Sequence, residues 1–260
     1  MGIVNVTPDS FWDGGRYDAT DTALARAEQL IAEGADIIDI GGESTRPGAS
    51  AVTAEQELER VAPVVAELAR RADVPVSVDT YKSAVAERCL EAGASIVNDI
   101  SGLRFDPAMA GVATRYHAGL VLMHIKGTPR DMQQDPQYDD LLGEISSSLQ
   151  ASIEIALAAG TERSAVAIDP GIGFGKTVEH NVAILKNLKY FERLDCPMVI
   201  GASRKSFIGK LNGGIPADQR LPGSIAAALA AAAAGAAVLR VHDVAATRQA
   251  LVTFRSIAGA

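Results

Sequence analysis

Polar and charged side chains follow eight short apolar segments at regular intervals along the chain. Among them, Asp79, Asn98, Asp169, Lys205 and Arg240 combine two carboxylates, an amide and two cations. Carboxylates accept N–H groups, an amide both donates and accepts, and arginine offers a planar fork of donors. Brought together, such side chains could bind a flat, nitrogen-rich ligand, and their opposite charges would limit the cost of burying them.

The eight apolar segments have the length and β-branched content of strands, and helical patterns separate them. The predicted strands cover residues 2–6, 36–41, 74–80, 95–100, 120–124, 165–169, 198–202 and 238–242. Helices are predicted at residues 22–33, 54–71 and 224–234, and Thr53 with Gln56 predicts a capping box at the start of the second.

Each repeating unit is about 32 residues long, which is typical of a βαβ element. Eight such units in 260 residues predict an α/β fold, a (β/α)₈ TIM barrel forming one domain over residues 1–260. An open doubly wound sheet is the alternative. Because both folds place ligands at the carboxyl ends of their strands, the residues that follow the strands are the candidate site.

The composition disfavours several classes of partner. The chain has 24 Lys and Arg residues against 32 Asp and Glu residues, and this net charge of −8 predicts neither nucleic-acid nor membrane binding. The longest uncharged apolar run, residues 225–239, is shorter than the roughly 18 residues that span a bilayer. Cys89 and Cys196 lack metal or disulfide spacing and are expected in the core, in a cytoplasmic protein.

Two nucleotide-binding motifs are disfavoured. Gly175, Lys176 and Thr177 resemble the end of a Walker A loop, but the glycine that this loop requires falls at Pro170, which has no N–H for a phosphate. No G-x-G-x-x-G follows a predicted strand, so a dinucleotide-binding fold lacks its fingerprint.

The motifs together resemble those of the dihydropteroate synthases. They are residues 5–11 (NVTPDSF), 41–48 (GGESTRPG), 97–100 (VNDI), 169–174 (DPGIGF), 203–205 (SRK) and 240–243 (RVHD), and the resemblance runs essentially end to end. It implies a transferase of folate biosynthesis that is a sulfonamide target. In such enzymes p-aminobenzoate and 6-hydroxymethyl-7,8-dihydropterin diphosphate, with Mg²⁺, give 7,8-dihydropteroate and pyrophosphate. The resemblance also implies a homodimer whose first two strand-to-helix loops are mobile.

The resemblance further implies a role for individual residues. The pterin-binding residues would be Asp79, Asn98, Met123, Asp169, Phe174, Gly201, Lys205 and Arg240. The diphosphate-binding residues would be Asn5, Thr45, Arg46, Arg240 and His242, with Asn5 also a ligand of Mg²⁺. The p-aminobenzoate-binding residues would be Phe11, Pro47, Phe174 and Ser203, and the catalytic set would be Asp9, Arg46, Lys205, Arg240 and His242.

Some alternatives stay open on the sequence. Phe174 could be an ordinary core residue, and His124 lies near a strand end without an assigned role. Trp12 stands where the family commonly has serine, which bears on the width of the p-aminobenzoate slot. A methyltetrahydrofolate-dependent corrinoid methyltransferase and a non-catalytic pterin-binding barrel are the rival functions. The first is disfavoured because the chain has no D-x-H-x-x-G signature.

Overall fold

The computed structural model describes residues 1–7, 16–46 and 48–258, with the backbone alone for residues 16–18. The described residues form eight strands: β1 Gly2–Asn5, β2 Ile38–Gly41, β3 Val76–Asp79, β4 Ile96–Asp99, β5 Gly119–Met123, β6 Val166–Asp169, β7 Val199–Ile200 and β8 Val238–Leu239. All eight predicted strands are therefore confirmed. Seven of them agree within two residues at each end, and β8 stops three residues before its predicted end.

Helices follow the strands in alternation. They are α1 Arg16–Ala32, α2 Ala54–Arg71, α3 Ser83–Glu91, α4 Met109–Arg115, α5 Leu141–Ala158, α6 Val178–Lys186, α7 Ser206–Leu211, α8 Leu221–Ala233 and α9 Val244–Ala258. The predicted capping box is present, because the Thr53 hydroxyl accepts the Gln56 N–H and the Gln56 side chain accepts the Thr53 N–H. Within the described part of the chain, no helix has the length and apolar content needed to cross a membrane.

The strands close into a barrel. Strands β1 to β6 pair in chain order, β7 pairs with β8, and all of these pairs are parallel. Single bridges complete the ring, one joining Ile168 to Met198 and the other joining Gly2 to Val241. The (β/α)₈ barrel is thus confirmed and the open sheet is wrong. Met198 and Val241, at the flanks of β7 and β8, form these bridges to the neighbouring strands, so pairing extends beyond the two short strands.

Successive side chains of a strand point alternately outward, into an apolar layer, and inward, into a polar barrel interior. In β2, Ile38 and Ile40 are fully buried and belong to the main hydrophobic core, which they share with the buried face of α2. Asp39 lies between them and is also fully buried. Because successive side chains point to opposite faces of a sheet, Asp39 faces the barrel interior.

One expectation about the core is only partly correct. Cys89 is buried as predicted, whereas Cys196 is half-buried. Cys196 follows Asp195, whose left-handed backbone (φ 49°) ends a short 3₁₀ helix, and its sulfur lies 3.8 Å from the Arg163 guanidinium. A residue on such a turn packs against the core without entering it.

The capping box makes a prediction for stability. Thr53→Ala removes the acceptor for the Gln56 N–H and should lower the free energy of unfolding by about 1 kcal/mol. For a barrel of this size that is a fall in Tm of about 2–4 °C, measured by circular dichroism. Thr253→Ala is the matched control, since Thr253 is exposed in α9 and alanine favours a helix interior. Equal Tm values for the two variants would contradict a stabilising cap.

Candidate active site

Several strands end in polar residues at one face of the barrel. Asn5 is paired in register with Gly41, Gly41 with Asp79, and Asp79 with Asn98. Asp169 ends β6 at the same face. A Cβ atom on Gly41 would lie 3.4 Å from the Cβ of Asp79, so a larger residue there would crowd the carboxylate. Register alone therefore gathers two carboxylates and two amides at one end of the barrel.

Arg240 is the cation at the centre of this group. It follows β8, and its Nε donates to Oδ2 of Asp39 at 2.5 Å while a terminal nitrogen donates to Oδ2 of Asp79, also at 2.5 Å. Burial opposes the charge of the guanidinium, but the two carboxylates outweigh it and raise the pKa of Arg240. Arg240 is therefore a permanent positive charge with a fixed orientation.

The two strand-end carboxylates differ in their surroundings. Burial, aided by Asp39, outweighs the opposing effect of Arg240 and raises the pKa of Asp79. Burial also raises the pKa of Asp169. It outweighs the opposing effect of the Gly171 N–H, which donates to Oδ1 of Asp169 at 2.7 Å. Gly171 has φ 74°, and a Cβ there would lie 1.9 Å from the carbonyl oxygen of His124, so only glycine fits. The turn that orients Asp169 thus depends on glycine.

Lys205 and Phe174 are neighbours at the same end of the barrel. The ammonium of Lys205 lies 4.0 Å from the centre of the Phe174 ring, and burial, with the nearby charge of Arg240, lowers the pKa of Lys205 to about 8. Phe174 packs with Met123 in a small apolar cluster separate from the main core. Phe174 is therefore a buried residue beside the site rather than a member of the main core.

Gly201 lies between Asp169 and Arg240. A Cβ on Gly201 would lie 3.9 Å from Oδ2 of Asp169 and 3.9 Å from Cβ of Arg240. The predicted pterin-binding residues Asp79, Asn98, Met123, Asp169, Phe174, Gly201, Lys205 and Arg240 thus lie around one end of the barrel, linked by the contacts described above.

The imidazole of His242 is held by Ser203. The Ser203 hydroxyl oxygen accepts the backbone N–H of His242 at 3.2 Å and lies 3.0 Å from Nδ1. Because the Ser203 oxygen already accepts the backbone N–H, we assign the hydroxyl proton to Nδ1, which places the ring proton on Nε2. Burial, followed by the charge of Arg240, lowers the pKa of His242 to about 3. At pH 7 His242 is therefore a neutral hydrogen-bond donor through Nε2.

An ion pair ties together the two loops that carry these groups. Arg204 donates from Nε to Oδ2 of Asp243 at 2.9 Å and from a terminal nitrogen to Oδ1 at 2.6 Å. Its backbone N–H donates to the hydroxyl of Ser224 in α8 at 2.8 Å. Lys205 and His242 are sequence neighbours of this bidentate pair, so the pair fixes the loops after β7 and β8 relative to each other.

A second ionic cluster anchors the loop after β2. Lys82 contacts the carboxylate of Glu43 and donates to Oε2 of Glu57 at 2.5 Å, and the Tyr81 hydroxyl donates to Glu43 at 2.9 Å. Glu57 is only 1% exposed, and burial raises its pKa. The cluster fixes Glu43, which begins the loop segment that carries Thr45 and Arg46.

Lys176, the lysine of the disfavoured Walker A motif, is buried. Its ammonium nitrogen lies 2.9 Å from Nδ1 of His124 and donates to the carbonyl oxygen of Phe174 at 2.9 Å. Burial lowers the pKa of Lys176 well below its usual range, and burial together with Lys176 lowers the pKa of His124 to about 2. Lys176 therefore supports the Phe174 loop, and His124 acts as its buried partner.

Other predicted site residues are less closely engaged. Asn5 is half-buried at the end of β1, Thr45 is half-buried, and Arg46 is exposed on the loop after β2. Four further residues lie outside the described ranges: Asp9, Phe11, Trp12 and Pro47. In the described ranges, no three His, Cys, Asp or Glu side chains lie close enough to hold a metal ion. Asn5 supplies a hard oxygen suited to Mg²⁺, which commonly takes its other ligands from phosphate and water.

Sequence reasoning missed Asp39 and Ser77, which lie one layer below the strand ends. Ser77 donates to Oδ1 of Asp39 at 2.6 Å, and the Asn98 amide nitrogen donates to Oδ2 of Asp39 at 3.0 Å. The available signal was a charged residue in the middle of an apolar strand. A pattern that covers only the residues that follow the strands does not include Asp39.

Known proteins share both this sequence and this architecture. The profile of a family described as pterin binding enzyme matches residues 1–242. The dihydropteroate synthase of Neisseria meningitidis serogroup C is 47% identical over 260 residues, covering 99% of this chain and 92% of that protein. A Yersinia pestis dihydropteroate synthase solved with a sulfonamide drug has a TM-score of 0.94 at 45% identity, covering 100% of this chain and 94% of that one.

A Xanthomonas albilineans dihydropteroate synthase solved with 4-aminobenzoic acid gives the same TM-score of 0.94 at 45% identity, over 100% of this chain and 93% of that one. Likeness of this extent covers the barrel and the strand ends that carry the candidate site. The resemblance inferred from the motifs is confirmed: this chain belongs to the pterin binding enzymes, within the dihydropteroate synthase family.

Proposed function

We propose that this chain joins p-aminobenzoate to 6-hydroxymethyl-7,8-dihydropterin diphosphate, giving 7,8-dihydropteroate and pyrophosphate. The observation that carries the proposal is the half-buried Arg240, held by Asp39 and Asp79 at the strand ends of a barrel that belongs to the dihydropteroate synthase family. A fixed cation beside carboxylates suits a ligand that combines a flat heterocycle with a diphosphate.

The carboxylates account for recognition of the pterin. Its 2-amino-4-oxo edge presents adjacent N–H donors, which the two oxygens of the Asp169 carboxylate can accept in parallel. The Gly171 N–H, which donates to Oδ1, fixes the orientation of that carboxylate. Asp79, Asn98 and Lys205 supply further polar contacts, with Met123, Phe174 and Gly201 as the walls. A site that pairs a ring edge in this way rejects analogues lacking it by about 10⁴-fold or more, because its own polar atoms are left unpaired.

The cations account for departure of the diphosphate. The bond from the pterin methylene carbon to the diphosphate oxygen breaks, and the leaving group gathers negative charge. Arg240, Arg46 and Thr45 supply donors, and neutral His242 supplies its Nε2–H. Mg²⁺ held by Asn5 would add Lewis-acid stabilisation of that charge.

The amine of p-aminobenzoate forms the new bond to the methylene carbon and then releases a proton. An arylamine is neutral at pH 7, so its attack needs no strong base and electrostatic stabilisation of pyrophosphate carries the rate. Phe174 and Ser203, together with Phe11 and Pro47, form the p-aminobenzoate slot in this proposal. Asp9 completes the catalytic set through the loop after β1.

The organisation of the molecule forms part of the same proposal. Residues 1–260 form one pterin-binding domain that works as a cytoplasmic homodimer. Family membership supports the dimer, and α8, rich in alanine, permits close helix packing.

Release of pyrophosphate tests the function directly. Protein supplied with the pterin diphosphate, p-aminobenzoate and Mg²⁺ should release pyrophosphate in proportion to the dihydropteroate formed, in a coupled spectrophotometric assay. Omission of p-aminobenzoate is the control for simple hydrolysis. Folded protein that binds the pterin diphosphate but releases nothing would instead be a non-catalytic pterin-binding barrel.

Two variants separate the pterin subsite from the diphosphate subsite. Asp169→Asn keeps an acceptor for the Gly171 N–H but places an NH₂ group against the pterin donors, so pterin affinity should fall on the order of 100-fold or more. His242→Ala should leave the affinity for free 6-hydroxymethyl-7,8-dihydropterin unchanged and weaken the diphosphate ester alone. Calorimetry measures both ligands. Asp169→Asn should weaken both of them, because both carry the pterin, whereas equal losses for the two ligands in His242→Ala would contradict the division of roles.

A further inference from the structure

We propose that Asp39, buried inside the barrel below the strand ends, is a positioning residue that orients both the Arg240 guanidinium and the Asn98 amide for the pterin. The inference rests on the proposed function, because it concerns how that site is held in its binding geometry. Asp39 itself has no exposed surface, so it acts through its neighbours.

The placement of Asp39 follows from the register of the barrel. Asp39 pairs with Ser77 across β2 and β3, one alternation below the row that contains Gly41 and Asp79. Side chains two residues apart in a strand point to the same face. The carboxylate therefore lies inside the barrel directly below the glycine that leaves room at the mouth.

Three donors from three other strands or strand ends meet on this carboxylate. The Ser77 hydroxyl donates to Oδ1 at 2.6 Å, and the Asn98 amide nitrogen and Arg240 Nε donate to Oδ2 at 3.0 and 2.5 Å. Two proposed pterin-binding side chains thus share a single oxygen atom of Asp39. Movement of that oxygen would reorient both of them.

These contacts fix what each neighbour presents to a ligand. Asn98 must direct its NH₂ group at Asp39, which leaves its carbonyl oxygen and one N–H for other partners. Arg240 is held at Nε by Asp39 and at a terminal nitrogen by Asp79, and two attachment points set the plane of a guanidinium. A planar cation of fixed orientation is what stacking or bidentate contact with a heterocycle requires.

Substitution by the isosteric amide, Asp39→Asn, separates charge from shape. All three neighbours of Asp39 are donors, whereas an asparagine side chain carries one acceptor and one donor group. The Ser77 hydroxyl can rotate to accept the new N–H, so the amide oxygen stays toward Asn98 and Arg240. The substitution then removes the negative charge paired with the guanidinium, so the charge-assisted hydrogen bond to Nε weakens and we infer that Arg240 and Asn98 are held less firmly.

The test compares Asp39→Asn with Ser77→Ala, which removes the third donor and leaves the contacts to Arg240 and Asn98 in place. The affinity for 6-hydroxymethyl-7,8-dihydropterin, measured by calorimetry, should fall about tenfold or more in Asp39→Asn and by no more than about twofold in Ser77→Ala. Asp39→Asn affinity within about twofold of the wild type would overturn the proposal.

A spectroscopic readout distinguishes positioning from loss of stability. In protein labelled with ¹⁵N-arginine, the Nε–H signal of Arg240, assigned by its loss in Arg240→Lys, should lie downfield of the exposed arginines and exchange slowly. The signal should persist in Ser77→Ala and move upfield in Asp39→Asn. An ordinary Nε–H signal in the wild-type protein overturns the proposal even where Asp39→Asn does not fold. These readouts need no turnover, so an inactive protein with the expected signals would contradict the proposed function but not the role of Asp39.

Discussion

A guanidinium held largely out of water needs carboxylate partners, and this requirement links the barrel to its site. Arg240 directly follows the last strand, whereas its partners Asp39 and Asp79 belong to the second and third strands, 201 and 161 residues earlier in the chain. An ion removed from water is costly unless it is paired and hydrogen-bonded. Closure of the barrel at Gly2 and Val241 brings these groups together, so ring closure and charge pairing require each other.

The same electrostatic environment gives the ionisable groups of the site different charge states. Burial raises the pKa of Asp79 and lowers the pKa of Lys205 and His242, whereas Arg240 stays charged because of its two carboxylates. The result is a permanent cation beside a neutral imidazole donor and carboxylates that accept N–H groups. A pterin edge and a diphosphate need these different properties within a few ångströms of each other.

Sequence reasoning predicted the strands and the groups that follow them because both depend on local patterns. Strands buried on both faces read as β-branched runs, and parallel strands place their ends together, so Asp79, Asn98 and Asp169 could be grouped before the structure was known. The bridges at Met198 and Val241 could not be predicted, because they depend on how the ring closes.

Asp39 and the pair formed by Lys176 and His124 were missed for a related reason. Their partners come from distant strands and loops, and a single sequence does not show which buried polar residues meet. The ion pair of Arg204 and Asp243 was likewise absent from the sequence interpretation, although it joins two loops that were both assigned to the site. Spacing predicts which residues share an end of the barrel but not which of them touch.

The most direct test of the central claim is a double-mutant cycle on binding of the pterin diphosphate, with Asp79→Asn, Arg240→Gln and the double variant. If the guanidinium and the carboxylate hold each other in place for the ligand, the double variant should lose less affinity than the two single variants summed. The expected coupling is about 1 kcal/mol or more. Losses that add within experimental error would show that the two side chains bind the ligand independently, which contradicts the account.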